Sequence, residues 1–235
     1  MGLLKNFFQN VFQEDDHERH GRTESSSSFG QLSKEELETH LGVRKYGHFT
    51  LTEAVRPSYD LKVVPREGYR HDAYHDADTD TDLPVIMASA SHESLFELFV
   101  ELIEPLGNVV DVVLETSHTR DAQGHVDLYR EHMDMPVLLS TLWDFEDLLT
   151  NDGCTGIAVL NPSIPQEVQF DEHKLLIVYG EALRDYERIL GSFGVPSDDG
   201  IKFITEAEHV HSSSEEYQHQ FEELKMRLGI DSTYG

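Results

Sequence analysis

The chain has 235 residues and sets 18 lysines and arginines against 45 aspartates and glutamates, a formal net charge of −27. That length supports a sizeable core without staples, and the single cysteine, Cys154, excludes an intrachain disulfide and points to a reduced, cytoplasmic setting. So acidic a surface disfavours nucleic acid and anionic lipid, whose binding relies on lysine and arginine displacing counterions; it suits a saline milieu, or a protein partner with a basic face.

The opening "MGLLKNFFQNVF" places Leu3, Phe7 and Val11 in one helical row and Leu4, Phe8 and Phe12 in the next, which predicts a short amphipathic helix over 1–12. Its polar face lacks the cationic cluster that a lipid surface attracts, so the stripe is expected to dock on the protein's own body or on a partner protein. The segment has no secretory-signal pattern, Asn6 stands where myristoylation wants serine or threonine, and no run approaches the ~20 apolar residues of a membrane span. Residues 13–32, with four consecutive serines and few large apolar groups, read as a flexible acidic linker to a single α+β domain over 33–235.

Ser33 and Glu36 make a capping box for a two-turn helix that Gly42 ends, and strands are expected around 48–52 and 60–64. Next comes "RHDAYHDADTDTDLPV", residues 70–85. Asp76, Asp78, Asp80 and Asp82 fit the first odd positions of a calcium loop, but Thr81 occupies the position that needs glycine and Met87 the one that needs a bidentate carboxylate. His71 and His75 have the helical spacing of zinc ligands without an apolar face to hold a helix. A solvated acidic loop is the expectation.

From Leu83 the pattern reads strand, helix capped by Ser91, strand over "NVVDVVLETSH", turn, returning strand over "HVDLYREHMDMPVLLS", helix over "LWDFEDLLTNDG", and strand over "TGIAVL". This order is that of a ferredoxin-like split βαβ unit within a largely antiparallel sheet carrying helices on one face. "DMPVLLST" also rhymes with "DLPVIMAS", a weak repeat signal linking 82–118 with 134–160. "EVQF" and "KLLIVYG" extend the sheet through the short connection "DEHK". A helix with Leu183, Tyr186, Leu190 and Phe193 on one face follows, then a strand over "IKFITEAEHVH". The last helix is capped by Ser213 with Glu216 and ended by Gly229.

Two sites are worth weighing for chemistry. On a strand, His209 and His211 share a face and could offer two imidazoles to one metal, with His173 of "DEHK" as a third ligand and Glu208 nearby. Cys154, among acidic residues, lacks the electropositive surroundings of a thiol nucleophile and reads as a small turn residue. The phosphate-loop, dinucleotide, nucleophile-elbow and HExxH patterns are all missing. The sequence therefore favours a non-enzymatic cytoplasmic protein-binding or regulatory domain without a cofactor. The alternative is a metal-dependent hydrolase, using a divalent metal on His209 and His211 with His173 or Glu208.

Overall fold

The computed structural model describes residues 27–76, 81–118 and 125–230. The expected N-terminal stripe and most of the linker lie outside these residues, as do Asp78 and Asp80. The last part of the linker lies inside them and is bound to the body: the Ser28 N–H donates to Glu208 Oε2 at 2.8 Å, Ser28 Oγ accepts from the Tyr59 N–H, and the Phe29 ring meets His40. Residues 28 and 29 are thus part of the fold rather than tether.

The first helix, α1 (Lys34–Leu41), carries the expected Ser33–Glu36 box. Three short strands follow, β1 (Lys45–Tyr46), β2 (Phe49–Thr50) and β3 (Val55–Pro57). The strand expected at 60–64 is absent; this stretch is irregular and forms no ladder with its neighbours. On either side of residues 77–80 the acidic stretch is strand rather than loop. β4 (Gly68–Asp76) and β5 (Thr81–Ser89) pair antiparallel from Gly68↔Ser89 to Asp76↔Thr81, and His75 binds Asp82 across the hairpin at 2.9 Å. Backbone pairing to an apolar neighbour makes a strand of "RHDAYHD", whose own composition argues against one.

After α2 (His92–Ile103) come β6 (Val109–Thr116) and β7 (Val126–Asp134), joined antiparallel. "MPVLLS" is then helix, not the end of the returning strand: α3 (Met135–Asp144) starts there with Pro136 in its first turn, where a missing N–H costs nothing. α4 (Glu146–Asn151) and β8 (Thr155–Leu160) complete this part. Since "DLPVIMAS" is strand and "DMPVLLST" is mostly helix, the internal repeat is not structural. β9 (Glu167–Phe170), β10 (Leu176–Tyr179), α5 (Arg184–Ser192), β11 (His209–His211) and α6 (Glu215–Arg227) end the order. The strand read at 201–211 is confined to β11, preceded by a single 3₁₀ turn at Ile204–Glu206, and α6 is capped by Ser214 rather than Ser213.

Seven strands form one sheet in the order β4-β5-β10-β9-β8-β6-β7, every pairing antiparallel. Four antiparallel steps separate β5 from β6, so the two strands joined by α2 run the same way. Three strands stand between them, however, where a ferredoxin-like unit has one. The β8-β9-β10 meander, late in the sequence, fills that gap, which is why local element order suggested the wrong neighbours.

Alternate strand residues, including Ile86, Leu114, Ile157, Val168, Phe170 and Val178, share one core with α2 to α6. Each large apolar side chain so buried contributes about 1.5–3 kcal/mol. The opposite face carries Val85, Met87, Ile177 and Tyr179 beside charged residues, and the 201–204 segment packs against it through Ile201 and Phe203. Among the described residues, no helix is long and apolar enough to cross a membrane.

Candidate metal centre

His173 projects from the β9–β10 connection. The Asp171 carboxylate caps this turn by accepting from the Leu175 N–H at 2.7 Å, the Lys174 N–H bonds back to the Asp171 carbonyl, and Lys174 takes a positive φ of 64°. His209 and His211 occupy one face of β11, as strand alternation requires. β11 is held against β3 by the register His209↔Pro57 and His211↔Val55. Its far end is tied by the Gly153 N–H to the Ser212 carbonyl and the Ser212 N–H to the Ala54 carbonyl, each at 2.8 Å. Position 153 must be glycine for this junction, because a Cβ there would stand 2.3 Å from the Ala54 oxygen.

The outcome is that His173, His209 and His211 offer ligand nitrogens that all lie within 4.8 Å of one another, with ring centroids 4.7 to 5.1 Å apart. Each Nδ1 meets an acceptor: Asp171 Oδ2 for His173 at 2.9 Å, the Ala207 carbonyl for His209 at 2.9 Å, and the Gly153 carbonyl for His211 at 2.6 Å. A carbonyl can only accept, so Nδ1 of His209 and His211 carries the proton and Nε2 presents its lone pair. This outer ring of one carboxylate and two carbonyls is the arrangement that orients metal-binding imidazoles.

Burial holds His209 and His211 below the ordinary histidine range, and each also feels His173 beside it. Both are therefore neutral near pH 7, the form that binds metal. Burial alone would raise the Asp171 carboxyl, but the charge and hydrogen bond of His173, the Leu175 N–H and Lys174 hold it below its usual value. Lys174, buried and donating to the Thr155 carbonyl at 2.7 Å, is pushed down to about 8 by desolvation.

Glu208 is not part of this cluster. It sits on the other face of the strand and is taken up by the Ser28 N–H. The carboxylate that the geometry supplies instead is Glu172, which accepts from Ser117 Oγ at 3.0 Å and stands 3.5 Å from His125 Nε2. Its charge also reaches His211. Glu172, His173 and Asp171 line a cavity of about 320 Å³ on the open face of the sheet, together with Tyr74, Val85, Met87 and Ile177.

Nothing in the sequence spacing pointed to two further groups. Glu115 and Glu167, on β6 and β9, are buried, and desolvation raises both carboxyls well above the ordinary range. Their signal is an acid at alternate positions of an apolar strand, which reads equally as a wet sheet face. The second group is His118, Asp152 and Cys154, also within 4.8 Å of one another. Here His118 lies between Thr116 Oγ1 at 2.8 Å and Asp152 Oδ2 at 3.0 Å, and Thr155 Oγ1 donates to the same carboxylate at 2.5 Å. These bonds account for the cluster as a brace for the 152–155 turn. Burial raises the Cys154 thiol, which disfavours a nucleophilic thiolate there.

Comparison with protein-family models, with curated proteins and with solved structures finds no match for this chain.

Proposed function

We propose that the protein is a metal-dependent hydrolase, with a divalent transition metal of the zinc type held by His173, His209 and His211. The observation that carries this reading is the convergence of three imidazoles whose Nδ1 atoms are each already engaged, leaving Nε2 as the nitrogen to coordinate. Three protein ligands plus an open position is the pattern of catalytic zinc, whereas structural zinc closes its fourth position with protein. Held there, such an ion would supply a water acidified to a pKa of about 7. Glu172, next to His173 in the chain and lining the cavity, would serve as the general base for such a water. The cavity beside the triad holds the substrate.

The geometry favours this over a protein-docking role, which rests on Leu3, Leu4, Phe7, Phe8, Val11 and Phe12, all outside the described residues. The test is metal content after incubation with zinc, manganese or iron(II) and desalting, followed by turnover of chromogenic carboxylic and phosphoric esters. One equivalent of metal is expected in the native chain and less than a tenth in His209→Ala, His211→Ala and His173→Ala, with Glu172→Gln keeping its metal and losing turnover. A native chain that retains no metal, or alanine variants that retain it fully, overturns the site. A metal-loaded chain inert towards every ester overturns the hydrolytic role.

A further inference from the structure

Glu115, on β6, lines this cavity. Its side chain is buried in the sheet, 6 % exposed, and Oε1 makes no hydrogen bond. Space for its carboxyl is created by Gly156 on the neighbouring strand: a Cβ at that position would stand 2.7 Å from Glu115 Oε2. A buried carboxyl with an unmet oxygen is expensive to keep, typically about 1–3 kcal/mol. Desolvation first, and then Asp127, Glu167, Asp171 and Glu172 nearby, raise the Glu115 carboxyl, so a cation bound beside it would displace the proton and pair with the carboxylate. Among the described residues, no lysine or arginine lines this cavity. The lining also includes Tyr74, Val85, Met87, Leu175, Ile177 and Tyr179, six side chains that offer aliphatic and aromatic surface.

We propose that this cavity receives an organic cation, a primary ammonium group on an apolar body, with the ammonium head on Glu115 and the body along the tyrosine and aliphatic wall. A primary ammonium in the cavity donates to the Glu115 carboxyl and brings the positive charge that the surrounding carboxylates call for. A bare metal ion would leave the apolar wall unused and would want more oxygen ligands than Glu115 provides. About 320 Å³ fits a ligand the size of an arylalkylamine. The proposal deepens the hydrolase reading by naming the substrate class, an amine-bearing ester or amide, but the binding event itself does not depend on the metal.

Titration calorimetry on the full chain, with and without zinc, tests this with phenethylamine and its neutral isostere phenethyl alcohol. The amine is expected to bind about tenfold or more tighter than the alcohol, the size of one charge-assisted hydrogen bond. Glu115→Gln, which keeps shape and removes charge, is expected to bring the two within about twofold. Equal binding of amine and alcohol by the native chain overturns the proposal without recourse to any variant. So does a preference that survives Glu115→Gln, or no measurable heat from either probe at millimolar concentration. Loss of metal retention with the amine preference intact would sink the hydrolase reading alone, and the reverse result would sink only this one.

Discussion

The two faces of the seven-stranded sheet are made by the same strands, residue by residue in alternation, yet they are built to opposite rules. Towards the helices, β6, β8, β9 and β10 present apolar side chains such as Leu114, Ile157, Val168, Phe170 and Val178, with Thr116 and Thr155 at the strand ends. Towards the cavity the same strands present Glu115, Gly156, Glu167, Gln169 and Tyr179. The first face gains stability from every residue. The second buries carboxyl groups at a cost in desolvation, and gives up stability where a ligand can restore it. Unfavourable burial concentrated on one face of one sheet is a mark of function rather than of folding.

That contrast can be broken most forcefully on the helix face. Phe99→Ala removes a fully buried ring that packs on Phe170 with centroids 5.2 Å apart, and should cost about 3–5 kcal/mol in urea unfolding. A loss under about 1 kcal/mol would mean that this face is not the core. At the cavity mouth the effect comes from the ligand instead. Zinc at a hundredfold excess over its Kd should stabilise the native chain by about 2.7 kcal/mol, read as a rise in Tm of roughly 5 to 10 °C that disappears in His211→Ala. Because burial keeps His209 and His211 neutral at pH 7, this stabilisation should hold at neutral pH and fade as the pH falls below the ordinary histidine range, where protons compete with metal.

The smallest effect has the opposite sign. Glu167 is fully buried, with Gln169 as the side chain that offsets part of its desolvation. Its folded pKa is raised by burial, so the folded state keeps a proton that the unfolded chain releases above its ordinary value of about 4.3. Stability from this group is full below that value and is lost as pH rises through the folded pKa. Glu167→Gln, which never ionises, should therefore be more stable than the native chain by about 1–3 kcal/mol at pH 8, with the gap narrowing towards pH 5. A gap that is constant with pH, or that reverses, would show that Glu167 is ionised and satisfied in the folded protein.

Local signals were read well where local forces decide. The Ser33–Glu36 box, the helix with its apolar stripe at Leu95, Leu98 and Leu102, and the glycine stop after α6 follow from hydrogen bonding and periodicity within a dozen residues. The pairing of His209 with His211 on one strand face was legible for the same reason. Errors gathered where distant chain segments decide: "RHDAYHD" becomes a strand because β5 is beside it, and "MPVLLS" turns helical although its composition matches that of a buried strand. Ser213 lost the cap to Ser214 by one residue, within the reach of two adjacent serines.

By itself, the sequence determined the class of the fold, the strongly acidic surface and the residue types that could bind a metal, since these follow from composition and from periods of two and 3.6 residues. Only the tertiary structure decided that the β8-β9-β10 meander lies between β5 and β6, that His173 comes round to meet His209 and His211, and that Glu115 is sealed in a cavity instead of facing water. Those outcomes rest on contacts between residues tens of positions apart. Their free energies depend on which surfaces close over which, and no local pattern encodes that.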